Sequence, residues 1–173
     1  MPNWCANTLC IYGPKKELTR FVETAKGYDQ QCKLSQMELR VSGRVNYDEP
    51  MPMSHLCFSK FLPVPDGLLE RTFGAGEDTD AAEKKGKKLK LVDGAVSMYL
   101  WCCDHWGVKW PAREIRFEWL PGEKGVEYVF DTPWGPPEPV IEKMAKMFPK
   151  LKFELVYEAE GSGDDKPVTV IYN

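Results

Sequence analysis

Four tryptophans stand in turn-forming company. Trp4 lies among Asn3, Cys5 and Asn7, Trp106 precedes Gly107, Trp110 follows Lys109, and Trp134 sits between Pro133 and Gly135-Pro136 with Asp131 just upstream. An indole offers a large flat face at small entropic cost, and a neighbouring amine, amide or carboxylate orients what lies on it. Trp4, Asn7, Trp106, Lys109, Trp110, Asp131 and Trp134 are therefore the candidate binding residues, suited to stacking a nucleobase or gripping an amphipathic partner. Large aromatics also close the ends of cores, and that reading competes at every position. Trp134, braced by prolines on both sides, is where a binding role is most expected.

Other chemistries find thinner support. His55 and Cys57 lie two apart, as ligands on one strand face would, and Cys102 or Cys103 with His105 could complete a four-ligand set. The paired CxxC or HxxxH spacing of structural zinc sites is missing, however, and buried free cysteines are ordinary. The zinc-deaminase signature fails because His55 is followed by Leu56-Cys57 without the glutamate. Asp104 and His105 are adjacent, and sequence neighbours on a helix do not face each other. Gly74-Ala75-Gly76 runs into Glu77 and Asp78, which would repel a phosphate, and no GxSxG elbow occurs. These absences point away from an enzyme, and no metal or cofactor is expected. Lys84, Lys85, Lys87, Lys88 and Lys90, with Arg113 and Arg116, offer a nucleic-acid-binding alternative, although the lysines also balance Glu77, Asp78, Asp80 and Glu83.

The elements that must hold these residues follow from periodicity. Residues 126–161 read as strand, proline-braced turn, helix and strand. Val126, Tyr128 and Phe130 alternate, as do Phe153, Leu155 and Tyr157, while Val140, Ile141, Met144, Ala145 and Phe148 recur at helical spacing between Pro139 and Pro149. Upstream, Thr8-Leu9-Cys10-Ile11-Tyr12 predicts a first strand. Leu18, Phe21, Val22 and Ala25 predict a helix, with Gly27 as its left-handed stop. Ile115, Phe117 and Trp119 predict a strand that turns through Pro121, Gly122 and Gly125 into Val126. The order is that of an α+β, ferredoxin-like (βαββαβ) antiparallel sheet with two helices on one face and a large insertion after the first helix. A last strand at residues 168–172 extends an edge. Glu118, Glu127, Glu154 and Glu158 fall on the other sheet face, which is expected to be acidic.

Length and charge agree with one domain. The chain has 173 residues, 43% of them hydrophobic, which suits a single core over residues 1–173 with residues 28–112 inserted. Within the insertion, Met37, Leu39 and Val41 predict a short strand and residues 74–90 a mobile loop. Val96, Tyr99, Leu100 and Cys103 predict a helix ending at Trp106-Gly107. A net charge of −3 excludes a global field driving the protein onto nucleic acid. No apolar run approaches the roughly 20 residues of a membrane span, and the opening MPNWCANTL lacks the character of a signal peptide. A cytoplasmic protein with no membrane partner is expected, its six cysteines remaining thiols.

Four motifs together resemble the YubB-type ferredoxin-like domain family of phage, prophage and plasmid proteins. They are Met1-Pro2-Asn3-Trp4-Cys5-Ala6-Asn7, Phe61-Leu62-Pro63-Val64-Pro65, Trp106-Gly107-Val108-Lys109-Trp110 and Phe130-Asp131-Thr132-Pro133-Trp134-Gly135-Pro136-Pro137. Val108 stands where that family commonly has a small polar residue. The resemblance implies the same fold and a mobile-element setting, and it supplies no reaction. The resulting expectation is a non-enzymatic accessory protein that binds and neutralises a host factor, either a defence protein or a small nucleotide signal, in the host cytoplasm. Nucleic-acid binding and a metal-dependent enzyme are the alternatives.

Overall fold

The computed structural model describes residues 3–28, 53–69, 91–95, 97–159 and 166–173. The strand predicted around Met37, Leu39 and Val41, the loop at 74–90, and Val96 lie outside the described residues.

Along β1 (Trp4–Tyr12), Cys5, Asn7, Leu9 and Ile11 are buried and alternate with more exposed neighbours, so the strand begins four residues before the predicted start. It is the centre of a five-stranded sheet in the order β2-β3-β1-β4-β5, built from β2 (Arg113–Trp119), β3 (Gly125–Pro133), β4 (Lys152–Ala159) and β5 (Val168–Tyr172). Every neighbouring pair is antiparallel. Central strands are buried on one face at least, and here Val126, Tyr128, Phe130, Phe153 and Leu155 join Leu9 and Ile11 beneath the helices. The ferredoxin-like strand order thus holds, with β5 added as the predicted edge.

Besides the two helices of the predicted core, the covering layer takes in the helix predicted within the insertion and a further helical turn. Helix α1 (Lys15–Ala25) buries the predicted Leu18, Phe21, Val22 and Ala25. It ends at Lys26 in extended backbone, and Gly27 exchanges backbone hydrogen bonds with Ser54 instead of serving as a left-handed stop. The chain re-enters the layer through a 3-10 turn at Phe58–Lys60 and one helical turn, α2 (Asp66–Leu69), placing Leu56, Phe58, Phe61, Val64 and Leu68 in the common core. Helix α3 (Met98–Trp106) follows, capped by the Ser97 hydroxyl accepting from the Leu100 amide. Its buried face is Met98, Trp101, Cys102 and Trp106 rather than the predicted Tyr99, Leu100 and Cys103. The all-round apolar run MYLWCCDHW gives little amphipathic signal, so packing against α4 (Glu138–Met147) decides the face. Helix α4 buries the predicted Val140, Ile141, Met144 and Ala145, with Pro139 in its first turn. Among the described residues, no helix is long and apolar enough to cross a membrane.

Candidate functional site

Three of the four predicted tryptophans, Trp4, Trp110 and Trp134, converge at one end of the sheet, and a cation separates each of these indoles from the next. The β1–β3–β2 register sets Ala6 opposite Asp131 and Asp131 opposite Arg113, bringing Trp4 on β1 within reach of the start of β2. There the Arg113 guanidinium carbon lies 5.7 Å from the centroids of both Trp4 and Trp110. Lys109 Nζ is 4.2 Å from the Trp110 centroid and 3.5 Å from that of Trp134. Tyr99 meets Trp134 edge-on, with centroids 6.5 Å apart. The result is a ladder, Trp4–Arg113–Trp110–Lys109–Trp134–Tyr99, running from the open sheet face to α3. Each cation is attracted by the negative faces of the rings beside it.

Local backbone explains why this ladder exists. Gly107, at φ 80°, reverses the chain after α3, and a Cβ there would lie 2.6 Å from Pro139 Cδ. The reversal aims Lys109 and Trp110 back along the sheet end. Opposite them, Trp134 adopts φ 72°, a left-handed conformation that costs a non-glycine residue about 1–2 kcal/mol. A buried network holds it there. The Asn7 amide donates to Cys5 O at 2.8 Å, Phe130 O at 3.3 Å and Thr132 Oγ1 at 2.8 Å. Thr132 Oγ1 in turn donates to Gly135 O at 2.7 Å, and the Trp134 amide donates to Asn3 O at 2.8 Å. The turn is fixed, yet Trp134 is 55% exposed.

Electrostatics grade across this end. Lys109 is nearly buried, and desolvation pulls its ammonium below the usual lysine range, partly countered by the nearby Cys103. Burial raises the Cys103 thiol, while a hydrogen bond from Tyr99 opposes that rise. Two shallow depressions adjoin the ladder and share Asp131. One, of about 400 Å³, is lined by Trp4, Ala6, Asp131 and Glu158; the other, of about 430 Å³, by Glu114, Arg116, Val129, Phe130 and Asp131. Glu118 pairs across from Glu127, and Cys10 sits between Glu127 and Glu154, so the predicted acidic residues share the open face.

The predicted site residues thus separate by role in the fold. Trp4, Lys109, Trp110 and Trp134 form the ladder, and Asp131 lines both depressions. Asn7 is 1% exposed and works as the internal brace of the Trp134 turn. Trp106 is fully buried: its Nε1 donates to Leu62 O at 2.9 Å and its ring packs edge-on against Phe58 and Trp101, so it belongs to the core. Arg113 and Tyr99 complete the ladder, although the sequence points to Arg113 only as part of a basic patch and to Tyr99 only as part of a helix. The proposed metal ligands do not converge. His55 stacks on Phe117, His105 stacks on Trp101 at 4.3 Å, and Cys57 contacts Ser59. Among the described residues, no three His, Cys, Asp or Glu side chains are grouped to hold a metal.

Strand order and helical layer define an α+β protein of ferredoxin-like fold. Residues 106–166, from the end of α3 through β4, match the family model described as a ferredoxin-like domain in Api92-like protein. The crystal structure of protein api92 from Yersinia pseudotuberculosis superposes with a TM-score of 0.55 over 100% of this chain and 95% of that chain, at 11% sequence identity, a likeness of fold. No curated protein matches the chain.

Proposed function

We propose that this chain is a non-enzymatic accessory binding protein of a phage or plasmid, and that it neutralises a host protein by gripping it with the Trp134 end of the sheet. The observation that carries the reading is Trp134 itself, a half-exposed indole held in a strained left-handed conformation by a buried network. Core closure does not need an exposed ring at such a cost, whereas contact surfaces are built around rigid aromatic and arginine anchors. Trp4, Tyr99, Trp110 and Arg113 give the surroundings that composition, and Asp131 and Glu158 border it with negative charge. A partner with a basic rim around an apolar pocket is the complement. The mobile-element setting is supported by the four-motif resemblance described above.

The test is affinity capture from host lysate with the wild-type chain and Trp134→Ala in parallel, with far-ultraviolet circular dichroism on both. The reading expects a host protein retained by the wild type and lost from a folded variant. Identical retention by both chains refutes it. Native mass spectrometry of the purified chain provides the second arm, since a co-purifying mass of a few hundred daltons that Trp134→Ala loses transfers the site to a small nucleotide.

A further inference from the structure

The two edges of the sheet are built differently. On β2, the register with β3 breaks between Arg113 and Arg116, Glu114 takes φ 51°, and Arg113, Glu114, Arg116 and Glu118 place charge along the strand. Bulges and edge charges are the devices by which proteins prevent strand addition. β5 has neither. It reads Val168-Thr169-Val170-Ile171-Tyr172, with no charge or proline, and its register with β4 is unbroken from Phe153↔Tyr172 to Tyr157↔Val168. Val168 is 45% exposed on the helical side and Ile171 is 51% exposed on the other, so this edge shows apolar surface on both faces. Among the described residues, β4 is its only strand neighbour.

We propose that β5 pairs antiparallel with β5 of a second copy, joining two five-stranded sheets across a twofold axis. The occupant follows from the strand itself. Pairing through the β2 edge is opposed by its bulge and charges, whereas β5 is self-complementary. An axis through Val170 sets Val168 against Tyr172 of the second copy and Thr169 against its Ile171, giving aromatic and β-branched cross-strand pairs on both faces. Five residues a side fall below the roughly 20–30 of a stable interface, so the dimer is weak, forms reversibly and depends on concentration.

The experiment is sedimentation velocity of the full chain across a dilution series, alongside Ile171→Lys and Val168→Lys. Ile171 faces Glu154 across the β4–β5 ladder, so a lysine there is tolerated in the monomer and obstructs the pairing. The wild type is expected to double its mass as concentration rises, with both variants staying single. A wild type that remains monomeric throughout, or variants that associate as it does, overturns the proposal. Hydrogen exchange on the wild type decides the matter if the variants misfold: amides of residues 168–172 slow with concentration and those of β2 do not, and concentration-independent exchange of β5 refutes the pairing. Trp134→Ala leaves the dimer intact, which separates this test from that of the binding reading.

Discussion

The strain at Trp134 can be tested directly, by replacing the residue with glycine and with alanine. Either change removes the same ring contacts. These are the cation–π contact with Lys109 at 3.5 Å, worth about 0.5–2 kcal/mol, and the edge-on contact with Tyr99, worth about 0.5–1.5 kcal/mol. The variants differ at the backbone. At φ 72° alanine keeps the left-handed penalty of about 1–2 kcal/mol, whereas glycine removes it. Against that, glycine adds about 0.5–1 kcal/mol of unfolded-chain entropy, which at ordinary positions makes alanine the more stable choice. The expected order is therefore inverted: Trp134→Gly exceeds Trp134→Ala by up to about 1 kcal/mol and stays within about 1–2 kcal/mol of the wild type. Urea unfolding at equal m-values measures the difference. An alanine variant equal to or more stable than the glycine variant would refute the claim that the fold imposes strain on this residue, and would remove the main ground for assigning it a binding role.

Three further outcomes follow from the same end of the molecule. Asn7→Ala removes the three buried hydrogen bonds that the Asn7 side-chain amide gives to the Cys5 and Phe130 carbonyls and to Thr132 Oγ1, while the two carbonyls keep their ladder partners, so it should cost about 2–4 kcal/mol in urea; a loss below about 1 kcal/mol contradicts the brace. Gly94 and Gly107 share a left-handed φ, but a Cβ at Gly94 meets nothing within 4 Å and one at Gly107 meets Pro139 at 2.6 Å. Gly94→Ala should therefore cost about 1 kcal/mol and Gly107→Ala at least about 1 kcal/mol more, and equal losses would show that Pro139 yields freely. Burial pushes the Cys5 thiol from its usual 9.0 up to about 11. Its raised folded-state pKa favours the protonated fold, so this contribution to stability is complete below about pH 9 and is lost as pH rises through about 11. Unfolding midpoints followed from neutral to alkaline pH should fall less in Cys5→Ala than in the wild type, and equal slopes would exclude Cys5 as a source.

What could be read along the chain was whatever depends on neighbours in sequence. α4 has apolar residues at helical spacing between two prolines, and β5 alternates cleanly, so both lie where periodicity put them. β1 was underestimated because Asn7 occupies an inward position where a polar amide interrupts the pattern, and only Phe130 and Thr132, more than a hundred residues away, explain how that amide is satisfied. Helix α3 ends at Trp106-Gly107 as its pattern predicts, but its buried face is illegible for the opposite reason: with only Asp104 and His105 polar it carries little directional signal, and its contact with α4 chooses Trp101 and Cys102 over Tyr99 and Leu100. That rotation determines the site. By taking Trp106 inward to the Leu62 carbonyl, it leaves Tyr99 beside Trp134 and sends the chain through Gly107 to place Lys109 between two indoles. The tryptophans advertised a cluster in the sequence, but its working order needed two long-range facts: the register that carries Trp4 to Arg113 and the helix rotation that separates a core tryptophan from the exposed one. The binding proposal rests on that assembly: the ladder draws on β1, β2, α3 and the turn after β3, which the buried Asn7–Thr132 network braces, and preorganised anchors are what let a few side chains supply most of an interface's affinity.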